Sequence, residues 1–545
     1  MIPRAAGKDL AEAMRPNVVD RVVSYFAPVA AKQRMQARAA MAIAGVWSGG
    51  SLARRQTATW ITGNGSADAD NEGDRRTLMA RSRDLVRNAP IAGAAIGTTV
   101  TSTVGTGLVL KSTIDRQLLG LDEDQAKAWQ SKVEREFRLW ANSKDADVTR
   151  HMDFYELQDL VLRSTLESGD AFTLLPMVPR QGSVYELRVQ VIEADRVCNQ
   201  NYGMDTLTLV GGVERDTFGA PVAYHVTDRH PGDFLALTQG GGIKWTRVPA
   251  FGARTGRRNM LHHFVRLRPD QSRGIPMLAP VIEPLKQLDR YTEAEIMAAV
   301  ISSMFTVFVE SPSPLEDALG SAGATSTSQP SKDFAMGSGA ILDLQPGEKV
   351  QFANPGRPNP AFDPFVQAIY QKIGARLEIP HEVLMKSFNS SYSASKAALL
   401  EAWRFFKSRR AWLVSGFCQP VYEAWLEEAV AKGRIAAPGF FQDPALRMAY
   451  CGASWIGDSP GQLDPLKEVL AAKERIALEV SNLGLETPYL TGEDWETVHE
   501  GRAQELARQR ADGTLPQPVG PVASAPMHDA NGEPVPGSPD YQGAP

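Results

Sequence analysis

Three cysteines in 545 residues, Cys198, Cys418 and Cys451, are too few, too scattered and too odd in number for a disulfide framework. No C-x-x-C pair occurs, so buried thiols in a reducing compartment are expected. Histidine is scarce as well: eight in all, with no cysteine or acidic cluster in register, which argues against a metal centre. The pair His262-His263 does not change this, because neighbours on a strand point to opposite sides and rarely share an ion. An excess of positive charge is also lacking. Lys and Arg number 58 against 63 Asp and Glu, a formal net charge of −5. Proteins that grip DNA along their whole surface are usually basic, since affinity comes from neutralising phosphates. Any nucleic-acid contact here must therefore be local or weak.

Long apolar runs are few. Residues 88–110 carry no formal charge between Arg87 and Lys111, a length that could cross a bilayer. Thr98, Thr99, Thr101, Ser102, Thr103 and Thr106, with Pro90 and several glycines, lower its hydropathy too far for that. A buried helix followed by a strand is expected instead. The first twenty residues carry charges too early and too often for a signal peptide. No internal repeat is present.

What the chain does have is a 43% hydrophobic, 22% charged composition, typical of a soluble protein of several domains. Residues 75–97 have helical spacing and lead into a strand at GLVLKSTID. Asp122 is placed to cap a helix whose Trp129, Val133, Phe137 and Trp140 share one face. A second helix is expected over 153–168, ending at Gly169. The period then changes to short β-rich segments across about 170–270, including a hairpin closed at Phe218-Gly219. Helical spacing returns over 277–303 with one wet face. A strand (FTVFVE), a Ser/Gly/Ala/Thr-rich stretch at 321–332 and a second β-like segment, GAILDLQPGEKVQF, follow. A shorter helix is expected over 361–377, broken at Pro380, and a long one over 394–417 with Leu399, Trp403, Phe406, Leu413 and Phe417 in a stripe. Such a stripe is read as core before interface. Helix resumes over 465–511, and the Pro/Gly/Ala/Ser-rich end predicts a disordered tail.

Four patterns invite an enzymatic reading, and each lacks partners. Ser393-Ala394-Ser395-Lys396 is an S-x-x-K tetrapeptide, but no K-T-G strand accompanies it; the nearest match is Arg254-Thr255-Gly256. Gly457-Asp458-Ser459-Pro460-Gly461 is formally G-x-S-x-G, yet a nucleophile elbow needs a helix leaving directly after the serine, and Pro460-Gly461 opposes that. GTGLVLKS at 105–112 lacks the Gly-Lys pair of a phosphate loop, and its glycines are read as a tight turn from helix to strand. The fourth is His262-His263, expected to serve packing. No catalytic residue, cofactor or metal is assigned. A serine hydrolase using Ser393 or Ser459 is kept as the alternative, and a scaffold or adaptor protein as a third reading.

The order of elements, with RSRDLVRNAPIAGAAIGTTVTSTVGTGLVLKS, LVLRSTLESGDAFTLLP, LRVQVIEADRV, HHFVRLRPDQSRGIPMLAPVIEPLKQLDRY, LQPGEKVQFANPGRPNPAFDPFVQAIYQKIGARLEIPHEVL, SYSASKAALLEAWRFF and LDPLKEVLAAKERI, resembles the portal proteins of lambda-type tailed bacteriophages over about residues 75–510. The resemblance implies an α+β fold assembled as a ring, usually of twelve copies, at one capsid vertex. It implies an N-terminal arm (1–74, partly helical), a β-rich wing (75–276), a first stem helix (277–303) and a clip (304–360). A second stem helix (361–385), a tunnel loop (386–393), a long wing helix with its continuation (394–433), a helical crown (434–512) and the tail (513–545) follow.

As partners the resemblance implies double-stranded DNA, the terminase large subunit, major capsid and scaffold proteins, and head-completion or connector proteins. The expected location is the virion, after assembly in the host cytoplasm, without a membrane. Lys386, Ser387, Asn389, Ser390, Ser391, Tyr392 and Lys396 become candidates for the DNA channel. Glu283, Lys286, Arg290, Glu293, Gln371 and Lys372 become candidates for the stem lumen. A channel must let DNA slide, so a loop of Ser and Asn with one lysine suits it better than a cluster of cations. Ser393 is expected to cap the helix starting at 394, leaving Lys396 one turn in, within reach of DNA or a neighbour.

Overall fold

The structure, a computed structural model, describes residues 23–30, 32–33, 59–60, 62–233, 242–304, 308–310, 349–351, 359–388, 391–461 and 464–514. Most of the arm, nearly all of 304–360, Asn389, Ser390 and the tail beyond 514 therefore lie outside the described residues.

Two helices, α1 (Ala67–Asn88) and α2 (Pro90–Thr103), precede β1 (Val109–Ser112). Pro90 at the first position of α2 has the backbone angle a helix start needs and lacks an N–H that would go unpaired. Ala92, Ala95, Ile96 and Val100 of α2 are buried, as expected of an apolar stretch that packs inside the protein. No helix among the described residues is long and apolar enough to cross a membrane. Gly105 and Gly107 adopt positive φ (60° and 113°), which makes the sharp turn from α2 into β1.

Helix α3 (Glu123–Ala141) opens with a full capping box between Asp122 and Gln125, and α4 (Phe154–Ser168) with one between Asp153 and Glu156. Both starts agree with the sequence. Strands β2 (Asp170–Leu174), β3 (Gln190–Glu193), β4 (Leu209–Val210), β5 (Val213–Arg215), β6 (Pro221–Thr227), β7 (Trp245–Pro249) and β8 (Met260–Phe264) form the β-rich body. They make two antiparallel sheets, ordered β3-β2-β8 and β4-β5-β6-β7. The hairpin turn at Phe218-Gly219 joins β5 to β6, with Gly219 at φ 82°. Between the sheets sits a small core of Phe172, Ile192, Val197, Val213, Tyr224, Val226, Ala250 and Met260.

The first long helix after the body, α5 (Ile282–Met304), is preceded by a 3-10 turn at Ala279–Val281. Strands β9 (Phe308–Glu310) and β10 (Lys349–Gln351) pair antiparallel, Lys349 opposite Glu310, so the two β-like segments of this excursion meet. Helices α6 (Phe362–Leu377) and α7 (His381–Met385) follow, then α8 (Tyr392–Leu413). Through a π-helical turn, Val414–Cys418, α8 runs on into α9 (Gln419–Ala431), where helical continuity exceeds the expected 394–417. Phe406, Leu413 and Phe417 are buried, with Leu399 and Trp403 packed against them, so the aromatic stripe is core.

The last region contains α10 (Pro444–Tyr450), β11 (Ala453–Ile456), α11 (Pro465–Ala477), α12 (Leu483–Thr491) and α13 (Trp495–Ala511). A strand was not expected here. β11 exists because it pairs antiparallel with β1, Val109 opposite Ile456, far away in the chain. Phe137, Trp140, Phe154, Phe417, Tyr422 and Trp425 pack ring against ring at the centre of the main core. The three cysteines are free and buried, and burial pushes the Cys451 thiol up to about 12.

Candidate nucleic-acid interface

The two long helices flanking the excursion pack together. On α5, Leu285 and Leu288 are buried; on α6, Val366, Ile373 and Leu377 are. Tyr291 stacks on Phe362 (ring centroids 5.6 Å) and meets Phe365 edge-on at 5.3 Å. With one stripe of each helix committed to packing, the remaining faces are exposed and mix charged and amide side chains with Ile296, Met297, Val300 and Phe365. Glu283, Lys286, Arg290 and Glu293 of α5, and Gln371 and Lys372 of α6, are all exposed. The structure does not gather them into one patch. Glu283, Lys286 and Arg290 share a groove with Arg81 and Asp84 of α1. Glu293 lines a more apolar groove with Ile91, Ile296, Met297 and Tyr370, and Gln371 faces the turn at 378–382.

Ahead of α5, at Arg273, the chain is anchored by residues that spacing and motif did not single out. Asp170, at the start of β2, is fully buried. It accepts hydrogen bonds from the Arg273 guanidinium, His262 Nε2 (3.2 Å) and the Gly274 amide (3.3 Å). Arg273, equally buried, also donates to the carbonyls of Val197 (2.8 Å), Ala194 (2.9 Å) and Gly211. Burial pushes the Asp170 carboxyl up, but Arg273 and His262 more than offset it and hold it well below the usual carboxylate range. Gly169 and Gly274 allow this joint to close. A Cβ on Gly274 would lie 2.0 Å from the Gly169 carbonyl oxygen, and Gly169 itself has φ 93°. The signal was present: an aspartate heading an otherwise apolar strand, and an arginine before Gly-Ile-Pro.

The adjacent histidines divide as the strand geometry requires. His262 stacks on Phe172 (4.2 Å) and bonds Asp170, while His263 bonds the Thr173 hydroxyl at 2.8 Å on the other side. Burial holds His263 down at about 3. One group of possible metal ligands, Glu193, Asp195 and His230, does converge. Arg83 already lies 2.6 Å from Asp195 and 3.4 Å from Glu193, so a cation within the chain answers both carboxylates. That is the arrangement of an ion-pair cluster.

The loop before α8 is short. Helix α7 ends at Lys386, whose backbone is left-handed (φ 52°), and the Ser387 amide returns to the Glu382 carbonyl at 3.0 Å. Lys386, Ser387 and Phe388 are exposed. The helix start corrects the sequence reading: Ser391, not Ser393, is the N-cap, its hydroxyl accepting from the Ala394 amide at 3.4 Å. Tyr392 already belongs to α8 and Ser393 is an exposed residue of the first turn. Of two nearby serines, the earlier one has the extended backbone (ψ 154°) that a cap requires. Lys396 lies 3.2 Å from Glu468 of α11, an ion pair within the chain.

Neither serine has the surroundings of a nucleophile. The Ser393 tetrapeptide opens a helix whose lysine is engaged by Glu468. At Ser459 a strand, β11, does enter, contrary to expectation, but the next helix begins only at Pro465. The neighbouring Asp458 carboxylate instead accepts the Thr106 amide (3.1 Å) and hydroxyl (3.0 Å), tying this loop to the Gly-Thr-Gly turn. Arg410 of α8 joins the same knot through the carbonyls of Thr103 (2.9 Å) and Asp458 (3.1 Å).

A family model described as phage portal protein, lambda family, matches residues 53–410. Portal protein B of Escherichia phage lambda is 25% identical over 495 residues, covering 87% of this chain and 91% of its own length. The portal protein of Escherichia phage N15 is 25% identical over 496 residues, with 87% and 92% covered. Among solved structures, the neck of a native GTA particle computed with C12 symmetry aligns at 13% identity with a TM-score of 0.40, over 69% of this chain and 93% of that one.

Proposed function

This chain belongs to the lambda family of phage portal proteins, a structural component of the virion, and from that premise we propose that it assembles into a ring, with twelve copies expected, whose axis conducts double-stranded DNA into and out of the capsid. The observation that carries the reading is the helix pair α5–α6, which buries one stripe of each helix, exposes Glu283, Lys286, Arg290, Glu293, Gln371 and Lys372 on the others, and leads through α7 to the exposed Lys386, Ser387 and Phe388. A lumen needs polar walls that hold water and contacts too weak to arrest a moving polyanion. Short hydroxyl and amide side chains provide these, because each fixed cation adds a phosphate-binding contribution.

In this reading the wing is 75–276, α5 and α6 are the stem, 304–360 is the clip that meets the terminase large subunit and later the connector proteins, and 386–393 is the tunnel loop. The long helix and its continuation stand behind the loop, and 434–512 forms the crown. Contacts with capsid and scaffold proteins during assembly in the host cytoplasm belong to the same proposal. Ser393 and Ser459 have no role in chemistry here.

The test is a ring count followed by a loop deletion. Mass photometry and negative-stain images of the full chain should show rings near twelvefold. Removing residues 387–392 should leave rings intact while reducing DNA packaging or retention. A chain that stays monomeric under every condition sinks the ring, and a deletion that abolishes assembly sinks the loop assignment.

A further inference from the structure

Two grooves of opposite charge flank the helix pair. The first, about 490 Å³, lies between α1 and α5, with Leu85 and Ile282 as its apolar lining and Arg81, Lys286 and Arg290 at its rim. Its two acids keep their charge while accepting from neutral amides, Asp84 from Asn88 at 2.7 Å and Glu283 from Gln287 at 3.1 Å, so the three cations leave an excess of one positive charge. Its three cations are exposed, and among the described residues they make no ion pair. The second groove, about 580 Å³, lies between α6, the turn at 378–382 and α8, and presents Glu378, Glu382 and Glu401 beside Phe405. Here Glu401 holds Arg404 at 3.0 Å and Glu382 holds His381 at 3.1 Å, which leaves Glu378 without a direct ion pair among the described residues.

Glu378 has a second peculiarity. It caps α6 in the left-handed conformation (φ 60°), a position where glycine is favoured and a larger side chain is strained. The strain is tolerated at a residue that projects a carboxylate into the groove. The grooves also open on different sides of the pair. On α5, Glu283, Lys286 and Arg290 turn away from Leu285, Leu288 and Thr292, which line a space shared with Tyr370 of α6. On α6, Gln371, Gly374 and Ala375 face the acidic groove.

We propose that these are the two complementary faces by which consecutive copies of this chain bind head to tail. The long Lys286 and Arg290 side chains of one subunit reach into the carboxylate-lined groove of the next. The inference rests on the ring reading above, since a cyclic assembly requires two different surfaces on every subunit. Phosphates of DNA are the competing ligand for the same cations. The neighbouring subunit is favoured because the chain supplies a matching acidic groove on another side of the same helix pair. A conduit lined by free lysines and arginines would also bind the DNA it must release.

Mass photometry of the full chain over a concentration and salt series decides between them. Lys286→Glu with Arg290→Glu, and separately Glu378→Lys with Glu401→Lys, should each raise the concentration needed for rings about tenfold or more. The fourfold charge swap should restore rings towards the wild-type concentration. Rings that form normally in K286E/R290E while DNA retention falls would assign the cations to DNA and overturn the proposal, as would a swap that fails to rescue. Should a reversal variant not fold by circular dichroism, Arg290→Gln and Glu378→Gln serve instead. Each should flatten the salt dependence of wild-type ring formation, and an unchanged slope overturns the proposal. Wild-type rings indifferent to all these changes refute only this inference; a wild type without rings refutes the ring itself.

Discussion

The joint beneath α5 and the helices at the C-terminal end are held by charge in opposite ways. At the joint, Asp170, Arg273 and His263 are out of contact with water, and Arg273 and Asp170 answer each other and the surrounding backbone. At the far end, α13 has no buried residue. It is attached at its N-terminus, where Lys111 of β1 reaches Asp494 (3.1 Å), Glu496 (2.5 Å) and Glu134 (3.6 Å). Leu466, Leu478, Val480 and Leu485 nearby stand more than 60% exposed. The first arrangement tolerates no loss, because an abandoned buried charge has no solvent to fall back on. The second can open at lower cost, since its partly buried ion pairs return their charges to water when they part.

The sharpest way to break the contrast is Arg273→Met. It strands the Asp170 carboxylate and should cost about 3–5 kcal/mol, read as a lowered urea midpoint. If the change is below about 1 kcal/mol, the joint is not the dry anchor described.

Acid probes the same region more gradually. Burial holds His263 at about 3 against an ordinary 6.5, so the unfolded chain takes up the proton first as the pH falls. Stability contributed by the neutral imidazole is complete above pH 6.5. It then declines by about 1.4 kcal/mol per pH unit on the way to pH 3. Comparing the pH dependence of thermal unfolding for the wild type and His263→Gln should show a shallower slope in the variant across that window.

The smallest effect belongs to the far end. Lys111→Met should lower global stability by only about 1 kcal/mol. Hydrogen exchange should nevertheless quicken throughout 495–511, and about 1 M salt should mimic the variant by screening the same pairs. Uniform quickening across the core would show that α13 is not the independent element its lack of burial suggests.

Much of the architecture was legible where the signal is short-range. The starts of α3 and α4 were, because Asp122 and Asp153 act on amides only two or three residues away. The Gly-Thr-Gly turn, the Phe218-Gly219 hairpin and the buried α2 followed from local conformational preference and hydropathy. Other features were not. β11 becomes a strand only by pairing with β1, and α8 continues into α9 through a π turn that no residue type announces. Ser391 and Ser393 are chemically equivalent caps, and only backbone angles separated them. Among the candidate channel residues, exposure followed from helical spacing, but their division among three grooves depended on where α1 and α8 came to lie.

By itself, then, the sequence determined the class of the protein: its mixed helix and sheet content, its family, and the wet and dry stripes of the helices flanking the excursion. These depend on residue type and spacing, which the chain carries in linear order. Tertiary structure alone decided that Asp170 meets Arg273, that Lys111 collects three carboxylates, and that the cations of α5 and the carboxylates around Glu378 open on different sides. Electrostatic interaction depends on distance through space, and no spacing along the chain sets the distance between residues that belong to different elements.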